Sequence, residues 1–335
     1  MITDGRALLV ERPGVMRVTA AAPAPLQHGD ALVRVAYAGV CGSDREIVAG
    51  TRAPGFVRYP VVPGHEWSGT VVELGVGTDP RLLGRRVVGE GFHYCGSCAA
   101  CRRGDTNMCL AGYDETGFTR PGACADLLLI PARLLHVLPD DADLRAAALL
   151  EPAACMASAV LAAAVEPGER VAVVGGGTLG LLAAQLLAAS SPAELVVVDP
   201  RPRPGAADSG ATDVLAPDRA ARLHGEFDAV IEAAGARGAG RLALQLTRRG
   251  GRAVLTGLYG GADDTVTPAE LVTAAITVHT VFGAPSRAWT HAVRAFTAGV
   301  LRPSPLISDD IDLNDAGLAL APDAPMPAGK VLLHP

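Results

Sequence analysis

Lysine is almost missing from this sequence. Lys330 is the one lysine in 335 residues, while alanine and arginine abound, which we read as the mark of a GC-rich coding sequence. Aromatic residues are scarce at 4%, leaving few flat apolar walls for a pocket. No block of basic residues occurs and the formal charge is −6, which argues against a nucleic acid or an anionic membrane surface as the main partner. The longest nearly apolar stretch, Ala153 to Val165, is too short to span a bilayer. The opening residues MITDGRALLVERPG lack the basic start and apolar run of a secretory signal. No membrane partner is expected, and the chain reads as cytoplasmic, with small molecules or copies of itself as partners.

What the sequence does have is length and apolar content. At 335 residues, 49% of them hydrophobic, it exceeds one comfortable core and fits two domains. Up to about residue 150, runs such as ALVRVAYAGV, WSGTVVELG and ADLLLIPARLLHVLP are rich in branched residues and separated by Gly/Pro turns, the pattern of a strand-rich, barrel-like unit. From Arg170 the texture changes: RVAVVGGG, ELVVVD, FDAVIEAAG and RAVLTGL read as strands, and TLGLLAAQLLAAS and LALQLTRRGG as the helices between them. Such alternation predicts βαβ units and an α/β fold with a doubly wound parallel sheet. A helix-like piece, RAWTHAVRAFTAG, and a final strand, GKVLLHP, follow. The expected division is 1–151, the strand-rich unit; 152–284, the unit of alternating strands and helices; and 285–335, a segment returning to the first. No solenoid repeat and no low-complexity linker is present.

VAVVGGGTLGLLAAQLLA sets Gly175, Gly177 and Gly180 in a G-x-G-x-x-G frame directly after a strand, with Thr178 and Leu179 opening the helix. The first glycine permits the tight turn, the second lets the backbone approach a pyrophosphate, and the third lets helix and strand pack closely. Asp199, ending ELVVVD, stands nineteen residues after Gly180, where a carboxylate accepts ribose hydroxyls and repels a 2′-phosphate. NAD is thereby favoured, while Arg201 and Arg203 keep NADP open. Pro200, Pro202 and Pro204 interrupt the helix that would follow.

Seven cysteines are an odd count for a disulfide framework, and thiols stay reduced in a reducing compartment. Four of them, Cys95, Cys98, Cys101 and Cys109, fall in YCGSCAACRRGDTNMC with the spacing C-x2-C-x2-C-x7-C. Four thiolates around zinc make a closed site that orders a loop and leaves no room for a substrate. An iron–sulfur cluster and unmetallated or oxidised cysteines are the rival readings, though hydride chemistry needs no one-electron centre. Cys124 and Cys155 read as small buried residues. A second, open metal site is suggested by Cys41 in VCGSD, His65 and Glu66 in PGHEWSG, and Glu151 in LLEPAAC. One thiolate, one imidazole and one or two carboxylates suit a zinc ion with a free position, and a Lewis acid makes an alkoxide accessible near neutral pH.

The ordered set VCGSD, GHEWSG, CGSCAACRRGDTNMC, LLEPAAC, GGGTLG and VVVD resembles the zinc-dependent medium-chain dehydrogenase/reductases, especially the polyol and threonine dehydrogenase branch, over essentially the whole chain. The resemblance implies a GroES-like catalytic domain joined to a Rossmann domain, with the cleft between them. It implies two zinc ions per chain and NAD, with NADP as the other option. Cys41, His65 and Glu66 match the positions that hold or face the catalytic zinc, and Glu151 matches the position that holds it directly or through water. Ser43 matches the hydroxyl that passes the substrate proton outward, and Asp44 the carboxylate that orients the histidine. Glu46 stands where many relatives carry a histidine at the far end of the proton path. The implied substrate is a secondary alcohol of a polyol, sugar, aminocyclitol such as a 2-deoxy-scyllo-inosamine-like compound, or amino-alcohol. The alternatives are a zinc-free quinone or enone reductase of the same fold and a non-catalytic NAD-binding zinc protein. Relatives pair through the edge of the nucleotide-domain sheet, which points to a homodimer or homotetramer with ITVHTVFG at the edge.

Overall fold

The computed structural model describes residues 5–201, 205–258, 265–321, 323–325 and 329–335. Pro202, Arg203 and Pro204 lie outside the described residues. The chain divides into two compact units: residues 1–151, 285–293 and 303–335 form the first, and residues 152–284 and 294–302 the second. Among the described residues no helix is long and apolar enough to cross a membrane.

The first unit is built on a seven-stranded sheet. Its order is Ile307–Asp312, Lys330–His334, Asp30–Gly39, Glu66–Leu74, Arg86–Gly89 and Leu135–Val137, with Leu127–Pro131 also pairing to Asp30–Gly39. Every pairing in it is antiparallel except that of the two C-terminal strands, which run parallel. Val33, Trp67, Val71, Leu128 and Ile130 from its strands are fully buried in one core, and Ile47 and Val48 of the helix Gly42–Ala49 close it. Burying each such side chain contributes on the order of 2 kcal/mol, so this core fixes the strand register that carries the site. The register places Gly39 opposite Glu66 on one side and opposite Leu332 on the other.

The second unit holds a six-stranded parallel sheet in the order Asp213–Leu215, Glu194–Val198, Arg170–Val174, Phe227–Glu232, Thr247–Leu255 and Thr277–Thr280. Strands covered on both faces must be apolar nearly throughout, and Val171–Val174 and Leu195–Val198 are wholly buried. The chain runs outward from Arg170–Val174 in one direction and then returns to Phe227–Glu232 on its other side. That reversal is the switch point at which open α/β sheets take ligands, outside the carboxyl ends of the strands. The helix read over LALQLTRRGG stops at Leu246. Thr247 already pairs with Phe227, and Gly250 adopts φ 70°, a conformation no helix admits. The segment ITVHTVFG supplies Thr277–Thr280, an edge strand of this sheet.

Candidate functional site

Three of the four separated donors meet in the first unit. The ligand atoms of Cys41, His65 and Glu66 all lie within 4.8 Å of one another. Cys41 immediately precedes the helix Gly42–Ala49, His65 follows Gly64 at φ 99°, and Glu66 opens the strand Glu66–Leu74. A Cβ at Gly64 would stand 2.7 Å from the Cys124 amide nitrogen, so only glycine lets the His65 segment lie against that buried strand entry.

Asp44, fully buried, ties the segments together. Its Oδ2 accepts the Cys41 amide at 2.9 Å and its Oδ1 the Gly64 amide at 3.2 Å. His65 Nδ1 stands 3.4 Å from Asp44 Oδ1, close enough for charge attraction, although the angle is too poor for a hydrogen bond and Nδ1 has no aligned partner. Burial would raise the Asp44 carboxyl, but the adjacent imidazole and the two amides pull it below the ordinary carboxylate range. Burial would likewise lower the His65 pKa, but Asp44 and Cys41 hold it well above the ordinary imidazole value. His65 Nε2 is 3.5 Å from Ser43 Oγ, and the ring tilts against Phe118 with centroids 4.7 Å apart.

Glu151, the last residue of the first unit's N-terminal stretch, is half-buried near the start of the helix Leu150–Ala163. It is not among the donor atoms gathered within 4.8 Å, yet its charge is felt by the cluster. Burial pushes its carboxyl up to about 7, His65 opposes that shift, and the like charges of Glu66 and Glu115 reinforce it. Two nearby groups were not read from the sequence as site residues. Glu115, buried, receives the Tyr113 hydroxyl, and Lys330 reaches Glu66 from the C-terminal strand. For Lys330 a signal was present, since a lone lysine within the strand pattern GKVLL is out of place on an apolar strand, but its partner could not be read.

The four clustered cysteines converge as well, and all are free thiols. The Cys98 and Cys101 sulfurs are 3.4 Å apart, and Cys95–Cys101 and Cys98–Cys109 are each 4.0 Å apart. A zinc ion at the usual Zn–S distance of about 2.3 Å requires tetrahedral edges of about 3.8 Å, within this range. Backbone amides of Cys95, Cys98 and Leu110 already point at sulfurs at 3.4 Å. The Ser97 hydroxyl and the Ser97 and Cys98 amides lower the Cys95 thiol, whereas burial and the neighbouring sulfurs raise Cys101. Four thiolates this close would need a cation between them. Cys124 is buried and Cys155 partly so.

In the second unit Gly175 takes φ 105°, and a Cβ there would lie 2.7 Å from the Ala234 nitrogen. Gly177, Thr178 and Leu179 are partly exposed, and a Cβ on Gly177 would meet nothing described within 4 Å, so a ligand has room against this backbone. A Cβ on Gly180 would stand 1.7 Å from the Gly175 carbonyl oxygen. Gly180→Ala is therefore expected to lower stability by about 3 kcal/mol and to weaken dinucleotide binding, checked by thermal unfolding with and without NADH. Asp199 Oδ2 accepts the Gly176 amide at 2.9 Å and Oδ1 the Arg201 amide at 2.9 Å, so this carboxylate also pins the glycine loop to the strand end.

Residues 27–140 match the family of alcohol dehydrogenase GroES-like domains, and residues 178–298 match the zinc-binding dehydrogenases. An L-galactonate-5-dehydrogenase of Escherichia coli K12 is 36% identical over 243 residues, 69% of this chain and 70% of that one. An L-threonine 3-dehydrogenase of Streptomyces avermitilis is 30% identical over 343 aligned positions, 98% of either chain. This chain belongs to the zinc-type medium-chain alcohol dehydrogenases. It falls in their polyol and threonine dehydrogenase-like branch, and it is an oxidoreductase with zinc and NAD(P) as cofactors. Among solved structures, a Sinorhizobium meliloti 1021 protein assigned as a zinc-binding dehydrogenase and bound to NADP superposes with a TM-score of 0.92 at 27% identity, covering 99% of this chain and 100% of that one. For a dehydrogenase of this kind the residues fit the metal. Four sulfurs spaced for a tetrahedron suit a closed zinc site, and one thiolate, one imidazole and one carboxylate converging at Cys41, His65 and Glu66 suit an open one.

Proposed function

We propose that this enzyme oxidises a secondary hydroxyl of a hydrophilic substrate, a polyol, sugar acid, aminocyclitol or amino-alcohol, to the ketone. The observation that carries this reading is the convergence of the Cys41, His65 and Glu66 donor atoms within 4.8 Å, beside Ser43, in a chain of this family. Relatives named for galactonate and threonine oxidation support the substrate class. Bound zinc would supply the Lewis acid that makes the alcohol proton labile near neutral pH, and NAD(P) would take the hydride.

In this reading Cys41 and His65 are the metal donors, with Glu66 and Glu151 as the carboxylates at hand. Asp44 keeps Cys41 and His65 in register through the two amides and the imidazole that it faces. Ser43 Oγ receives the substrate proton. One turn along the same helix, Glu46 offers an exposed carboxylate that already accepts from Arg52 at 3.2 Å, an outward acceptor in place of histidine. Cys95, Cys98, Cys101 and Cys109 hold the second ion and order their loop. Gly175 to Gly180 receive the pyrophosphate and Asp199 the ribose, with NAD preferred over NADP. The enzyme works in the cytoplasm as a dimer or tetramer joined through the edge strand Thr277–Thr280.

A zinc-free reductase would have no use for either donor set. Metal analysis of the purified protein should give about two zinc per chain. One per chain would leave only the four-cysteine site and defeat the catalytic one. The substrate class is tested by screening polyols, aldonic acids, amino-alcohols and aminocyclitols with NAD and NADP while following absorbance of the reduced cofactor, and activity confined to hydrophobic alcohols would overturn it.

A further inference from the structure

Lys330 is the chain's only ammonium side chain, and it is buried against a proposed metal donor. Its Nζ lies 2.7 Å from both Glu66 carboxylate oxygens, donating to Oε1, and 3.1 Å from the Val40 carbonyl. Glu66 Oε2 is left without an aligned donor. Three elements build this contact. The strand Lys330–His334 pairs with Asp30–Gly39, the Val40 amide bonds the Val331 carbonyl at 2.9 Å, and Gly39 sits opposite Glu66. A Cβ at Gly39 would stand 2.3 Å from Glu66 Oε2, so the absence of a side chain there opens the path from Glu66 to Lys330.

A buried ion pair is a poor stability device, because desolvating two charges offsets most of their attraction and an apolar pair of similar volume packs as well. Its place beside Cys41 and His65 calls for another role. One face of the Glu66 carboxylate is engaged by a fixed cation, and the same group belongs to the cluster of donor atoms gathered within 4.8 Å. An anion shared in this way binds a second cation less tightly than a free one does.

We propose that Lys330 is a positioning residue that holds Glu66 in reserve, restraining it from full metal ligation so that Cys41 and His65 are the permanent donors and a position stays open for substrate. The inference rests on the metal-site reading above. It goes beyond that reading by assigning which group limits Glu66.

The test uses the purified enzyme loaded with cobalt(II) in place of zinc, comparing wild type, Lys330→Met, Lys330→Arg, Glu66→Gln and the Glu66→Gln/Lys330→Met pair. Lys330→Met should slow cobalt loss to a chelator about tenfold, weaken the visible absorption as coordination rises, and lower kcat more than KM. Lys330→Arg, which keeps a cation there, should restore all three. Once Glu66 is glutamine, Lys330→Met should change neither spectrum nor release rate, and this comparison holds even where the single Lys330→Met protein does not fold. Unchanged spectrum and release in Lys330→Met, or an equal change whether or not Glu66 is present, overturns the inference. Uptake of a single ion per chain by wild type overturns the metal-site reading and this inference with it, whereas two ions with an inert Lys330 overturns the inference alone.

Discussion

Cys41→Ser abolishes alcohol-dependent NAD(P)H formation and leaves the fold standing. Cys41 is partly exposed at the mouth of a short helix, and its side chain is not part of the buried core of its unit. The local backbone is held instead by the Asp44 carboxylate on the Cys41 amide at 2.9 Å, a contact that serine preserves. The change should therefore lower stability by no more than about 1 kcal/mol. What it removes is the only sulfur in the cluster with His65 and Glu66. Losing the Lewis acid raises the barrier by several kcal/mol, and about 4 kcal/mol corresponds to a roughly thousandfold fall in kcat/KM. Steady-state kinetics and circular dichroism on the same preparation check both halves. Residual activity above about a tenth of wild type would remove Cys41 from the metal site.

Cys98→Ser reverses the balance. The Cys98 sulfur is 3.4 Å from Cys101 and 4.0 Å from Cys109 and accepts the Leu110 amide at 3.4 Å, so it stands at the centre of the loop's contacts. With one donor gone the three remaining sulfurs lose the cation that balances them, and the loop between Cys95 and Cys109 loosens. The loss travels further, because Thr106 in that loop accepts the Ser286 amide at 3.0 Å and the Ser286 hydroxyl donates to buried Glu90 at 2.8 Å. Stability should fall by about 4 kcal/mol, roughly 10 °C in melting temperature for a unit of this size, while the protein that stays folded at low temperature keeps most of its turnover. Thermal unfolding and assays at 10 and 37 °C distinguish the two effects. If Cys98→Ser proved inactive yet stable and Cys41→Ser unstable, the division of labour between the two clusters would have to be exchanged.

The features that could be read directly from the sequence are local ones. Gly175 and Gly180 announce their turn because the backbone conformation at the first and the helix packing at the second demand glycine, with Gly177 between them leaving its backbone open to a ligand, and the strands RVAVV and ELVVV announce a covered parallel sheet by being apolar on both faces. The four clustered cysteines are equally legible, since their four sulfurs come from one short stretch and converge without help from the rest of the fold. The helix over LALQLTRRGG failed at Thr247 because periodicity cannot register that a pairing strand has already begun. Glu46 was noticed as a departure, but its pairing with Arg52 appeared only when the helix and the following turn were folded together.

By itself the sequence determined the fold class, the glycine loop, the cysteine cage and the list of donors from which an open site could be drawn, because each rests on spacing along the chain. Tertiary structure decided which donors meet. Cys41, His65 and Glu66 converge through strand register and the Asp44 tether, Glu151 stands outside that group of atoms, and Lys330 arrives from 264 residues away to neutralise Glu66. Contacts of that separation are fixed by how strands pair across a sheet, and no local pattern in the chain encodes them.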